Sequence, residues 1–154
     1  MKKNYLLHLT ITILIFISCS SSENENLSET FLQKFDGTVW RFENNDANVY
    51  YLIENNQNNP VTKYVKLSNS DCFYISEVMS ELDSRYESIT IQETNELQIK
   101  SDYGSNENNI YTFTVSQNNI DLYQIENYFG NQTTWNYLLI KTNLSKNDIK
   151  PICP

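Results

Sequence analysis

From Thr38 to Lys141 the apolar residues fall at every second position, and Asn, Gly and Asp interrupt them every roughly 8 to 12 residues. Such a period fits a pleated strand with one buried face and no helix. It predicts nine strands, over 38–42, 49–54, 62–67, 72–76, 88–93, 97–101, 110–116, 120–125 and 133–141. Gln117-Asn118-Asn119 reads as a hairpin turn because Asn tolerates positive φ, and Thr94-Asn95 and Gly130-Asn131 read the same way. Residues 54–60 and 102–109 read as longer loops. One face is expected to carry Tyr111, Phe113 and Val115 beside Ile120 and Leu122. Short antiparallel strands in series must hide their edges, so the expected fold is an all-β meander closing into an eight- or nine-stranded barrel.

Ahead of the strands, Leu27, Phe31 and Phe35 recur every four residues with Leu32 beside them. Ser28 stands where an N-cap belongs and Asp36-Gly37 ends the pattern, which predicts one short helix. Val78, Leu82 and Tyr86 share helical spacing and suggest a second short helix over 76–86. A short N-terminal helix followed by Gly37-Thr38-Val39-Trp40 resembles the lipocalin-type barrels and the lipocalin-like lipoproteins of Bacteroidota. That resemblance implies a barrel-closing role for Gly37 and Trp40 and supplies no ligand-binding residue. Two residues separate Gly37 from Trp40 where lipocalins have one, and no C-terminal arginine is present to pack on the tryptophan.

The chain opens Met1-Lys2-Lys3 and continues with an apolar run of about 13 residues, short of the roughly 20 needed to span a bilayer core. Charged, apolar and small residues in that order read as a signal peptide over 1–18. Phe16-Ile17-Ser18-Cys19 resembles the lipobox of bacterial lipoproteins, which implies cleavage between Ser18 and Cys19 and acylation of Cys19. The alternatives are an ordinary signal peptide followed by a chance cysteine, and an uncleaved anchor. Each buried acyl CH₂ contributes about 0.8 kcal/mol, so two or three chains hold a protein to a membrane stably. Ser20-Ser21-Ser22-Glu23-Asn24-Glu25-Asn26 is a polar, acidic tether over 19–26 and is similar to the export tag of Bacteroidota surface lipoproteins. The expected location is the outer face of the outer membrane, with the periplasmic face as alternative. Asp36-Gly37-Thr38-Val39-Trp40 early and Ile152-Cys153-Pro154 at the end are similar to short flavobacterial lipoproteins, a likeness that implies no activity.

Beyond the tether, 27–154 reads as a single β domain. Without Lys2 and Lys3, nine basic residues face 19 acidic ones, a net charge of −10. That sign repels phosphate backbones, so no nucleic-acid partner is expected. The sole histidine, His8, lies in the leader. The domain therefore has no Ser-His-Asp or Cys-His catalysis and no histidine-bearing zinc site. Only Gly37, Gly104 and Gly130 occur, without the glycine-rich spacing that cradles phosphate. No cofactor is expected. With Cys19 acylated, Cys72 and Cys153 remain, read as one disulfide in an oxidising compartment, the alternative being two unpaired thiols.

The aromatic load offers one candidate ligand-facing set, Tyr50, Tyr51, Tyr64 and Tyr74, against the plainer reading of core and cross-strand packing. Residues 102–108 alternate oxygen-bearing side chains as a calcium loop does, but lack its glycine and its final glutamate, and read better as a solvated hairpin loop. Glu93, Glu96, Asp121 and Glu126 lie on or beside strands, where a carboxylate pair is what glycoside hydrolysis requires. The sequence thus points to a membrane-tethered, non-enzymatic domain that binds a small apolar ligand, a glycan or a partner protein. An accessory envelope subunit without a pocket and a carboxylate-dependent hydrolase are the alternatives. Metabolic labelling with a fatty acid is expected to mark the wild-type protein and leave a Cys19→Ala variant unlabelled; equal labelling of both would remove the lipobox reading.

Overall fold

The computed structural model describes residues 28–43, 47–79, 86–104, 106–149 and 152–153. Cys19 and the expected leader and tether lie outside these residues, as do Leu27 and Leu82. A short helix α1 (Phe31–Lys34) precedes nine strands: β1 (Val39–Glu43), β2 (Ala47–Ile53), β3 (Val61–Leu67), β4 (Tyr74–Met79), β5 (Tyr86–Gln92), β6 (Glu96–Gly104), β7 (Glu107–Ser116), β8 (Asn119–Tyr128) and β9 (Asn131–Lys141). The fold is all-β, and every ladder between its strands is antiparallel. All nine expected strands are present, several longer than expected.

The sheet order is β4-β3-β2-β1-β9-β8-β7-β6-β5. The first and last strands pair, Trp40 with Lys141 and Arg41 with Ile140. Yet among the described residues no ladder joins β4 to β5. The expected closed barrel is therefore corrected to an open nine-stranded sheet, whose two edges lie in the middle of the chain. The sheet is nonetheless strongly curled. Four strand steps separate β2 from β7, about 19 Å on a flat sheet, while the rings of Tyr51 and Phe113 are 6.2 Å apart.

Alternation explains what fills the curl. Trp40, Tyr51, Ile53, Val61, Leu97, Ile99, Tyr111, Phe113, Ile120, Leu122 and Leu139 form one buried cluster with Phe31, Leu32 and Phe35 of the helical segment. Phe113 pairs with Leu122 and Val115 with Ile120, as the alternation predicts. Helix α1 plugs one end of the trough: the Phe31 ring lies 4.8 Å from Phe35 and 6.5 Å from Phe113. It is pinned there by the Phe31 N–H donating to the Glu93 carbonyl at 2.6 Å and by Gln92 Nε2 donating to Thr30 Oγ1. Its N-cap is Thr30 in a capping box with Gln33, and not Ser28.

Four consecutive residues of β2, Tyr50 to Ile53, are all buried, because this half of the sheet is covered on both faces. On the convex side Val39, Tyr50, Leu52, Phe73 and Ile149 form a second cluster with Tyr64 and Leu144. The chain after β9 lies across it, held by Thr142 donating to the Val39 carbonyl and by the Lys146–Glu54 ion pair at 2.6 Å. A short parallel bridge joins Phe73 to Ile152, and the disulfide Cys72–Cys153 (Cα–Cα 5.1 Å) fastens the end.

Three further expectations are corrected. Strand β4 runs through Val78 to Met79, and Tyr86 opens β5, so neither belongs to a second helix; residues 80–85 lie outside the described ones. The loop expected over 102–109 is mostly strand, β6 reaching Gly104 and β7 starting at Glu107. The turn after β8 is Phe129-Gly130, one residue earlier than expected. Removal of the disulfide by Cys72→Ala with Cys153→Ala is expected to lower the unfolding free energy by about 2–5 kcal/mol in a urea titration, and both thiols of the wild type are expected to alkylate only after reduction.

Candidate binding cleft

The concave face of β6, β7 and β8 changes character along the strands. Leu97, Phe113 and Leu122 stand in one cross-strand row at the plugged end. The next row holds Ile99, Tyr111 and Gln124, and the one after it Ser101, Asn109 and Glu126. Two rows, about 13 Å, carry the face from fully apolar to polar. Ser101 and Asn109 are buried polar residues at this transition.

Beyond it lies a cleft of about 250 Å³ lined by Tyr103, Glu107, Asn109, Glu126, Asn127 and Tyr128. Drug-sized pockets run to roughly 300–1,000 Å³, so this one has room for one small polar unit. Burial of Asn109 requires partners for its amide, and Nδ2 donates to the hydroxyls of Tyr103 at 3.2 Å and Tyr111 at 3.1 Å. Those contacts fix the two phenols relative to the cleft. Asn127 Nδ2 donates to Asn108 Oδ1 at 2.9 Å and ties β8 to β7 at the rim. Tight turns close the mouth. Gly104 and Asn106 both have positive φ at the β6–β7 turn, where Asp102 Oδ1 accepts from the Gly104 N–H. That carboxylate thus caps its own turn.

The carboxylate of Glu126 acts beyond the cleft. Burial, and then the charge of Glu126, raise the pKa of Tyr137 above the ordinary 10.0. On the neighbouring strand the Tyr137 ring meets Phe42 edge-on at 4.8 Å.

The carboxylates singled out by sequence do not converge. Glu126 enters the cleft, but Glu93 sits exposed in the β5–β6 turn. Glu96 and Asp121 align through Thr114 in a row whose Thr114 faces solvent, on the convex side. The residue brought beside Glu126 is Glu107, which sequence reasoning assigned to a loop. Its signal was the alternation Glu107, Asn109, Tyr111, Phe113, which extends the strand pattern two residues backwards. Among the described residues no group of three or more acidic or cysteine side chains is arranged to hold a metal ion.

The four tyrosines occupy both faces and an edge. Tyr51 is in the main core, and Tyr50 is on the opposite face against Phe73 at 5.4 Å. Tyr64 borders the second cluster, where burial and the charge of Glu54 raise its pKa. Tyr74 is exposed on edge strand β4. They therefore do not form one ligand-facing set. Gly37 and Trp40 lie where the first and last strands meet. Gly37 takes φ +70 after the helix and donates its N–H to Ile53. Trp40 is 2 % exposed, its Nε1 donates to Thr38 Oγ1 at 2.9 Å, and Lys141 Nζ lies 6.0 Å from the centre of its ring. A lysine thus stands over the tryptophan.

Comparison with protein-family models, curated proteins and solved structures found no match. No helix among the described residues is long and apolar enough to cross a membrane.

In a Glu126→Gln variant the phenol of Tyr137 is expected to ionise at lower pH than in the wild type, while staying above 10.0 because burial still opposes the charge. The ¹³Cζ chemical shift of Tyr137 against pH reads this directly. Stability contributed by the neutral phenol is present below pH 10 and is lost as pH rises through its folded pKa; in the variant that contribution is expected to be smaller and to be exhausted at lower pH.

Proposed function

We propose that this chain is a lipid-anchored surface domain that binds a glycan through the cleft at the polar end of its curled sheet. The observation that carries the reading is the division of the concave face. Phe31, Tyr51, Tyr111 and Phe113 occupy the trough where a lipocalin-like barrel would hold an apolar ligand. The cleft at the polar end is bordered by two tyrosines, two carboxylates and two asparagines. Carboxylate and amide oxygens accept from sugar hydroxyls, amide nitrogens donate to them, and tyrosine rings pack on the C–H face of a pyranose. A net charge of −10 disfavours phosphorylated or sulfated ligands, so a neutral or amino sugar fits best.

The geometry that supports this reading is the separation of the two ends. Thr30 and Phe31 are pinned to the β5–β6 turn at the plugged end, and the cleft lies at the other end of β6, nine residues long, about 25–30 Å away.

One observation favours a second reading, a glycoside hydrolase: Glu107 and Glu126 line a single cleft. Both readings are tested with the full acylated chain in detergent on an array of neutral, amino and acidic oligosaccharides, with reducing ends assayed in parallel. Glycan binding without new reducing ends is expected, with affinity falling about tenfold or more in Glu126→Gln, as loss of a charge-assisted hydrogen bond implies. Release of reducing ends that either Glu107→Gln or Glu126→Gln abolishes would establish the hydrolase. A protein that neither retains a glycan nor releases reducing ends would overturn both.

A further inference from the structure

The β8–β9 hairpin turns on two residues, Phe129 and Gly130, both with positive φ, +46 and +80, between the paired Tyr128 and Asn131. Two positive φ values in a two-residue turn are the type I′ geometry, whose first position strongly favours Asn, Asp or Gly. A phenylalanine there carries a Cβ clash that those residues relieve or avoid. Its ring gains little burial in compensation. Phe129 is 60 % exposed and Tyr128 58 %, the two most exposed large apolar side chains among the described residues. Their rings meet edge-on with centroids 4.7 Å apart. Nothing in folding alone favours a strained, solvent-exposed ring at this place.

The place itself is informative. Tyr128 forms part of the cleft wall with Glu126 and Asn127, and Phe129 is the next residue outward. The hairpin tip therefore continues the cleft with an exposed aromatic pair, carried on a two-residue turn. We infer that Tyr128 and Phe129 form a second sugar subsite: a glycan whose first unit occupies the cleft lays the C–H face of its next unit on the tip. The inference rests on the glycan reading above and adds that the ligand has at least two linked units. It also makes Phe129 the residue that separates an oligosaccharide from a monosaccharide.

The geometry predicts opposite effects from one substitution. Phe129→Asn places a residue suited to positive φ in the turn, so Tm is expected to rise by about 3 °C, the shift that about 1 kcal/mol gives a chain of this size. The same change removes the platform. Binding of methyl glycosides and disaccharides of glucose, galactose, mannose, xylose and N-acetylglucosamine is measured by calorimetry on the full acylated chain in detergent. In the wild type at least one disaccharide is expected to bind tenfold or more tighter than its methyl glycoside. That advantage should vanish in Phe129→Asn and persist in Phe129→Tyr, with methyl glycoside affinity unchanged in both. A wild type that binds none of these probes overturns the glycan reading and this inference with it. A wild type that binds them, with a disaccharide advantage that is absent from the outset or survives Phe129→Asn, overturns the second subsite alone. Loss of Tm in Phe129→Asn would show that the turn is not strained, and would remove the argument for Phe129.

Discussion

Phe113 stands where three separate parts of the chain meet. Its ring faces Phe31 of the N-terminal helix and Tyr51 of β2, although its own strand is four steps from β2 in the sheet. A sheet of nine strands has no need to curl for the sake of its hydrogen bonds, which a flatter sheet makes equally well. The curl follows from burying apolar area, at about 25 cal/mol per Å², on one face shared between the two halves. Helix α1 has only four residues, and its stability in isolation is negligible. It persists because Phe31 and Leu32 close the end of the same trough.

Much of this was readable in the residues, and the failures have physical causes. The strands were legible because side-chain period and pleat are the same quantity. The pairing of neighbours followed, since Asn- and Gly-rich turns admit little but hairpins. The run Tyr50 to Ile53 breaks the alternation, and the structure shows why: β2 is buried on both faces, under the main core and under the chain that returns from β9. Pattern alone left those tyrosines open between a ligand-facing set and core packing, and for Tyr50 and Tyr51 packing is what the structure has. The open seam between β4 and β5 was not legible, because closure depends on the curvature summed over nine strands and not on any residue. Glu107 was missed for a smaller reason, the habit of reading polar residues beside a glycine as loop.

The filled trough is also what separates this domain from the barrels that its opening residues resemble. A hollow barrel must support walls whose inner side chains face a ligand or water. Here Leu97, Phe113, Ile120 and Leu122 are fully buried against one another and the helix. Chemistry is thereby displaced to the end where Ser101, Asn109 and Glu126 replace them. The buried amide of Asn109, shared between two phenols, marks the boundary between core and cleft.

The meeting of β1 with β9 sets where the entropy of the fold is concentrated. Strands β5 to β9 pair with one another in sequence order, and each of those pairings closes a loop of a few residues. Strand β1 finds β9 across about 100 residues, a far larger entropic loop, and does so through only two residue pairs. Local hairpins form fast and distant ladders slowly. The sheet is therefore two runs of sequence-local hairpins, β1 to β4 and β5 to β9, and their joining carries the long-loop entropy. That joining brings Tyr51 onto Phe113, so the ring at the centre of the finished core also bridges the two runs.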